Sequence, residues 1–203
     1  GFTAAGTTNL AGATTINAGA SVILFSGTVN GGSALTANST GTTTFNDAVS
    51  IGSLTTNAGG STAINGGGVN GTQSYGDAVT LGTNTTLSGA AVGFANTVDG
   101  AVSLTVNSGG ATSFGGVVGG GTALISLTTD AGGTSSSVGV VTTGATTFND
   151  NTTLSGTYNN VGFTAAGTTA LAGATTVNAG AGTAAFTGAV NGPFAFVVNS
   201  NLL

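Results

Sequence analysis

The chain repeats itself. "GFTAAGTTNLAGATTINAGA" at Gly1 returns as "GFTAAGTTALAGATTVNAGA" at Gly162, with eighteen of twenty positions identical at an offset of 161 residues. Carried on through residues 1–39 and 162–200, the match reaches 26 identities, including Phe25 with Phe186, Val29 with Val190 and Asn38 with Asn199. A shorter rhythm lies inside it. A Thr-x-[Asn/Asp]-[Ala/Ser] step recurs at Asn17, Asn38, Asn57, Asn107, Asp130 and Asn178, and seven or eight residues later come Phe25, Phe45, Ile64, Phe114, Ser137 and Phe186. After most of these anchors the chain reads aromatic-x-[Gly/Asp/Asn]-x-Val, as in "FSGTV", "FNDAV", "YGDAV", "FANTV", "FGGVV" and "FTGAV".

Fixed periods near 20 residues point to a solenoid. Each unit holds short runs of Thr, Val, Ile and Phe in partial alternation, punctuated by Gly and Asn, which reads as strands joined by turns. Helix is disfavoured, because Gly is frequent, Thr and Val are poor helix formers, and no 3.6-residue stripe persists. One unit cannot bury its own apolar side, whereas units stacked in parallel register can, with Phe over Phe, Val over Val and Thr or Asn ladders outside. The expectation is an all-β parallel β-helix (a β-solenoid) spanning residues 1–203, with roughly nine rungs of about 19–23 residues. Its core anchors are Phe25, Phe45, Ile64, Tyr75, Phe94, Phe114, Phe148, Phe163 and Phe186. Two longer spacings, Ile64 to Phe94 and Ser137 to Phe163, are enlarged units or units with insertions. Tyr75 occupies an anchor slot, in the core or at its rim. Tyr158, in "GTYNN", reads as part of an enlarged loop able to touch a partner.

Composition removes most chemistry. Lys, Arg, His, Cys, Met, Trp and Glu are absent, and five Asp give a net charge of −5. Without Lys or Arg nothing displaces counterions from phosphates, so nucleic acid is not an expected partner. Without Cys or His there is no thiolate or imidazole metal site. No run approaches the roughly 20 apolar residues of a membrane helix, so membrane insertion is not expected. The start, at Gly1 with no basic stretch, does not read as a signal peptide, and the chain reads as a processed product or a window of something longer. Sparse charge favours association.

The five Asp come next. Asp47, Asp77 and Asp150 stand two residues after Phe45, Tyr75 and Phe148, in a slot that elsewhere holds Gly27, Asn96, Gly116 and Gly188. Asp99 precedes Gly100 where Asn30, Gly119 and Asn191 stand in other units, and Asp130 replaces the Asn of the Thr-x-Asn step. Asp, Asn and Gly share tolerance of left-handed backbone, and the first two also bond to local backbone, so all five Asp read as turn positions. A glycosidase pair needs carboxylates about 5–9.5 Å apart. Asp47 and Asp77 are the candidates, but nothing basic accompanies them, and no His or Lys would activate a serine. Scattered single Asp do not make a calcium cage, and "INGGGVNG" lacks the Lys and helix of a phosphate loop. No enzyme and no cofactor is expected. Threonine arrays of the kind that some ice-binding solenoids present would need regular Thr at every rung, and here Thr is irregular along the chain. Thr is also simply a good strand former.

The stretch "TTFNDAVSIGSLTTNAGGSTAINGGGVNGTQSYGDAVTLGTNTTLSG" (residues 43–89) resembles the repeat region of secreted bacterial adhesins of the filamentous haemagglutinin and autotransporter-passenger type. That resemblance is one of repeat style and covers essentially the whole chain. It implies a right-handed parallel β-helix shaft displayed outside the cell, at the bacterial surface. The functional expectation is a structural, non-catalytic shaft or fibre whose partner is itself, end to end, together with cell-surface or matrix components. The alternative is a passive stalk in a giant adhesin whose binding tip lies elsewhere. The apolar tail from Phe194 to Leu203 is expected to lie in the joint.

Overall fold

In the computed structural model, which describes residues 1–201, the described residues contain strands, bends and turns and no helix. The first three strands, Phe2–Ala4, Thr8–Asn9 and Thr14–Gly19, run along three sides of a coil. The chain then returns over its own start, with Ile23–Phe25 pairing in parallel on Phe2–Ala4. Val29–Asn30 lies on Thr8–Asn9, and Ala34–Ser39 on Thr14–Gly19. The three sides are called here the first, second and third face.

One inward column marks the whole path: Phe2, Ile23, Thr43, Thr62, Val79, Val98, Val118, Val140, Tyr158, Val177 and Val198. The fold is thus an all-β, parallel β-solenoid of about ten turns. With strands about 4.8 Å apart, the rod is roughly 50 Å long. Turns shorten to 17 residues between Thr62 and Val79 and lengthen to 22 between Val118 and Val140. That spread sits in the corners, since the strands themselves must stay in register. At one corner Gly68–Tyr75 passes from the second face to the third without a break, and its register on Val49–Thr56 slips between Asn70 and Thr72. Gly71 makes the slip possible. Its φ is +129°, and a Cβ there would stand 2.1 Å from the Ile51 carbonyl oxygen.

Alternation supplies the core. Residues such as Phe25, Leu35, Phe45, Leu54, Leu87, Leu104 and Leu127 point inward and are fully buried. Rings stack where the register places them one above another: Phe25 on Phe45 at 5.3 Å, Tyr75 on Phe94 at 5.1 Å, and Phe94 on Phe114 at 5.3 Å between centroids. Each such pair adds about 0.5–1.5 kcal/mol beyond its buried area.

The anchors do not form one column. Phe25, Phe45 and Ile64 stack on the first face. Tyr75, Phe94, Phe114 and Ser137 stack on the third. Phe148 and Phe186 stack on the second with Ala165 between them, and Phe163 faces inward two positions earlier in the same strand as Ala165. The two long spacings are therefore neither enlarged units nor insertions. From Ile64 to Tyr75, and again from Ser137 to Phe148, the motif advances eleven residues, two-thirds of a turn, and resumes on another face. All the anchors are buried except Phe186, half-buried in the last turn.

The 161-residue echo turns with the same geometry. Residues 2–4 lie on the first face, but Phe163–Ala165 lies on the second. Local conformation survives the rotation: φ is +60° at Gly19 and +55° at Gly180, and +129° at Gly31 and +144° at Gly192. The side-chain bond from Asn38 to Asn17, 2.8 Å, recurs from Asn199 to Asn178, also 2.8 Å.

Tyr158 is not on a loop. It is fully buried, edge-on to Phe163 and Phe148, and its hydroxyl donates to the Ser137 carbonyl at 2.9 Å. Ser137, the one small residue among the anchors, leaves the volume that Tyr158 enters from the next rung.

Candidate functional site: corners, outer faces and ends

The five carboxylates occupy two kinds of place. Asp47 is exposed and accepts the Ala48 N–H at 2.7 Å, a local bond of the kind expected for a turn. Asp99 closes the short strand Val98–Asp99 and accepts the N–H groups of Gly121 and Thr122, at 2.7 and 2.9 Å, from the following turn of the coil. Asp130 accepts the Ser108 N–H, at 3.0 Å, from the preceding turn. Asp77 and Asp150 are buried in corners. Asp77 accepts hydroxyls from Thr56 at 3.1 Å and Thr62 at 2.7 Å. Asp150 accepts from Thr129 at 3.4 Å and Ser135 at 2.6 Å. The two constellations have the same separations along the chain, 21 and 15 residues, but occupy different corners.

Left-handed backbone does not explain these positions, because among the described residues every positive φ belongs to Gly. Side-chain bonding across rungs does, in four of the five. Burial pushes the Asp77 and Asp150 carboxyls above the usual carboxylate range, and their hydroxyl donors counter this only in part. Burial likewise raises both Tyr phenols. Among the described residues no group of three or more His, Cys, Asp or Glu is placed to hold a metal ion. Both hydroxyls reach Asp77 through Oδ1, and its Oδ2 is buried without a partner, whereas Asp150 uses both oxygens.

The outer faces carry hydroxyls in better order than the sequence implies. On the second face Thr86, Thr105, Thr128, Thr147 and Thr164 stack in one outward column across five turns. On the third, Thr15, Thr36, Thr55 and Ser74 do the same, until Gly93 interrupts before Ser113, Ser136 and Thr153 resume. Unequal turn lengths had concealed these columns, because constant register does not need constant spacing.

The inward residues of the first and last described turns are less buried than those between them. At the lower end Phe2, Ala4, Ile16 and Ala18 pack on the core but remain half-buried, with no rung beneath them. At the upper end Ala184, Phe186 and Phe196 do the same, while Phe194, Val197 and Val198 are 45, 46 and 42% exposed. No charged side chain occurs before Asp47 or after Asp150. Open strand edges are ordinarily blunted by charge, proline or a covering element. Pro193 is the single proline, and among the described residues no helix covers either end. Leu202 and Leu203 of the expected joint lie outside the described residues. No protein-family model, curated protein or solved structure matches the chain.

Proposed function

We propose that this chain is a structural, non-catalytic element of an extracellular fibre or adhesin shaft at the bacterial surface, extended by end-to-end association. The observation that carries the reading is the uncharged, apolar stacking surface of the first and last described turns, whose inward residues a further rung of the same kind would cover. A heterologous contact between unlike ends that does not close gives a filament rather than a ring. Electron micrographs of the purified chain test this directly: rods longer than roughly 50 Å are expected, growing with concentration. Monodisperse particles of a single chain's mass in light scattering at every concentration would sink the reading. The resemblance of repeat style supports the surface location, as does the absence of any Lys or Arg for trypsin-like proteases.

The five-threonine column favours a second reading, in which the second face binds a regular hydroxylated lattice such as ice. Freezing-point hysteresis in solutions of the chain, abolished by Thr128→Lys, is what that reading requires.

A further inference from the structure

End-to-end association, taken from the proposed function, leaves open how one rod sits on the next, and the rod's own interior contains a template for the joint. Residues 163–178 repeat residues 2–17 almost unchanged, and inside the rod they rest on a complete rung. Under Phe163–Ala165 lies Thr146–Phe148, with Thr146 beneath Phe163 and Phe148 beneath Ala165. Under residues 175–178 lie residues 156–159, with Tyr158 beneath Val177 and Asn159 beneath Asn178. The upper end of the rod offers part of that pattern, keeping the small-small-Phe run on one face and the closing Asn on the other, with Val198 where the interior rung has Tyr158. Ala184–Phe186 is small-small-Phe on the second face, and Phe196–Asn199 ends in Val-Val-Asn on the first.

We infer that a second copy of this chain docks with its first turn rotated by one third, so that its first face continues the second face of the copy below. Phe2, Thr3 and Ala4 of the upper copy then stand over Ala184, Ala185 and Phe186. Thr14 to Asn17 stand over Phe196 to Asn199. Three observations meet in this register. The coil path continues through it, because the last described strand lies on the first face and the next position in the winding is the second. The apolar halves complete each other, Val198 meeting Ile16 and Phe186 meeting Ala4, all of them left half-buried or exposed at the ends. The asparagine ladder runs through: Asn178 donates to Asn159 at 2.7 Å and Asn199 to Asn178 at 2.8 Å, and Asn17 of the next copy continues it to its own Asn38. An unrotated joint would place the first face on the first face and leave a step in the winding.

The chain has no cysteine, so engineered pairs report the register without background. Outward residues on adjacent strands lie about 4.8 Å apart, within disulfide range. Thr3→Cys with Ala185→Cys, and independently Thr15→Cys with Val197→Cys, are expected to give ladders of covalent multimers on mild oxidation. Thr3→Cys with Asn199→Cys, the pair an unrotated joint brings together, is expected to give none. A ladder from this last pair overturns the rotation while leaving end-to-end growth intact. Fibres in the micrographs without a ladder from either rotated pair overturn the register. Single-chain particles throughout, from variants whose circular dichroism matches the parent, overturn the end-to-end reading and this inference with it.

Discussion

Residues 1–20 and 162–181 are nearly the same text in two settings. Phe163 is fully buried and Phe2 only half-buried; Val177 is sealed while Ile16 is not; Thr169 is buried and Thr8 is partly open. Backbone conformation at the paired glycines hardly changes. The difference therefore lies neither in sequence nor in local geometry but in the presence of a rung underneath. In a stacked coil the neighbour supplies much of each rung's stability, and this pair of segments isolates that contribution.

The largest test deletes the ring in each copy. Phe163→Ala should cost about 3–5 kcal/mol, as for a buried aromatic, and Phe2→Ala distinctly less, both measured by denaturant unfolding under dilute conditions. The gap should narrow in assembled material if a second copy covers Phe2. Equal losses in the dilute chain would break the comparison. Next come the glycines. Gly31→Ala and Gly192→Ala each force a Cβ onto backbone with φ well above zero and within 3 Å of the turn below. Strain of about 1–3 kcal/mol is expected at both, and a marked inequality would mean that the faces are not interchangeable.

A smaller effect has the opposite sign. The Thr169 hydroxyl is buried without a hydrogen-bond partner, so Thr169→Val should raise stability by about 1 kcal/mol. Thr8→Val, at the open end, should do little. The smallest shift concerns the buried corners. Asp77 and Asp150 have carboxyl pKa values raised by burial, so the folded chain holds those protons more tightly than the unfolded one. Their penalty is absent below the ordinary carboxylate pKa of about 3.9, grows as pH rises through the raised values, and is complete above them. Acidification from neutral pH towards 4 should thus raise the melting temperature, and Asp77→Asn with Asp150→Asn should flatten that dependence. A midpoint that falls on mild acidification would contradict the assignment.

Much of this architecture could be read from the repeat, because stacked rungs face one packing problem and reuse one solution. The anchors at Phe25, Phe45, Tyr75, Phe94 and Phe114 needed only the aromatic-x-[Gly/Asp/Asn]-x-Val motif. What could not be read was the face on which each anchor lies. Eleven residues between Ile64 and Tyr75 look like an irregular unit until the strand register shows that they cover two-thirds of a turn. Tyr158 was missed for a related reason. The cue to its burial is the small side chain at Ser137, 21 residues earlier, and only the stacking brings that position beneath it. The corner bonds of Asp77 and Asp150 likewise join residues 15 and 21 apart, separations that carry no meaning without the coil.

The interchangeability of the three faces bears on how such a chain can lengthen. A duplicated or lost segment need not correspond to a whole number of turns, for seven residues or so already carry the winding from one side to the next and find an equivalent interior waiting. Unequal recombination between similar stretches would then yield viable rods far more often than in a coil with three distinct walls. Each such event would swing everything downstream to a new azimuth about the coil axis.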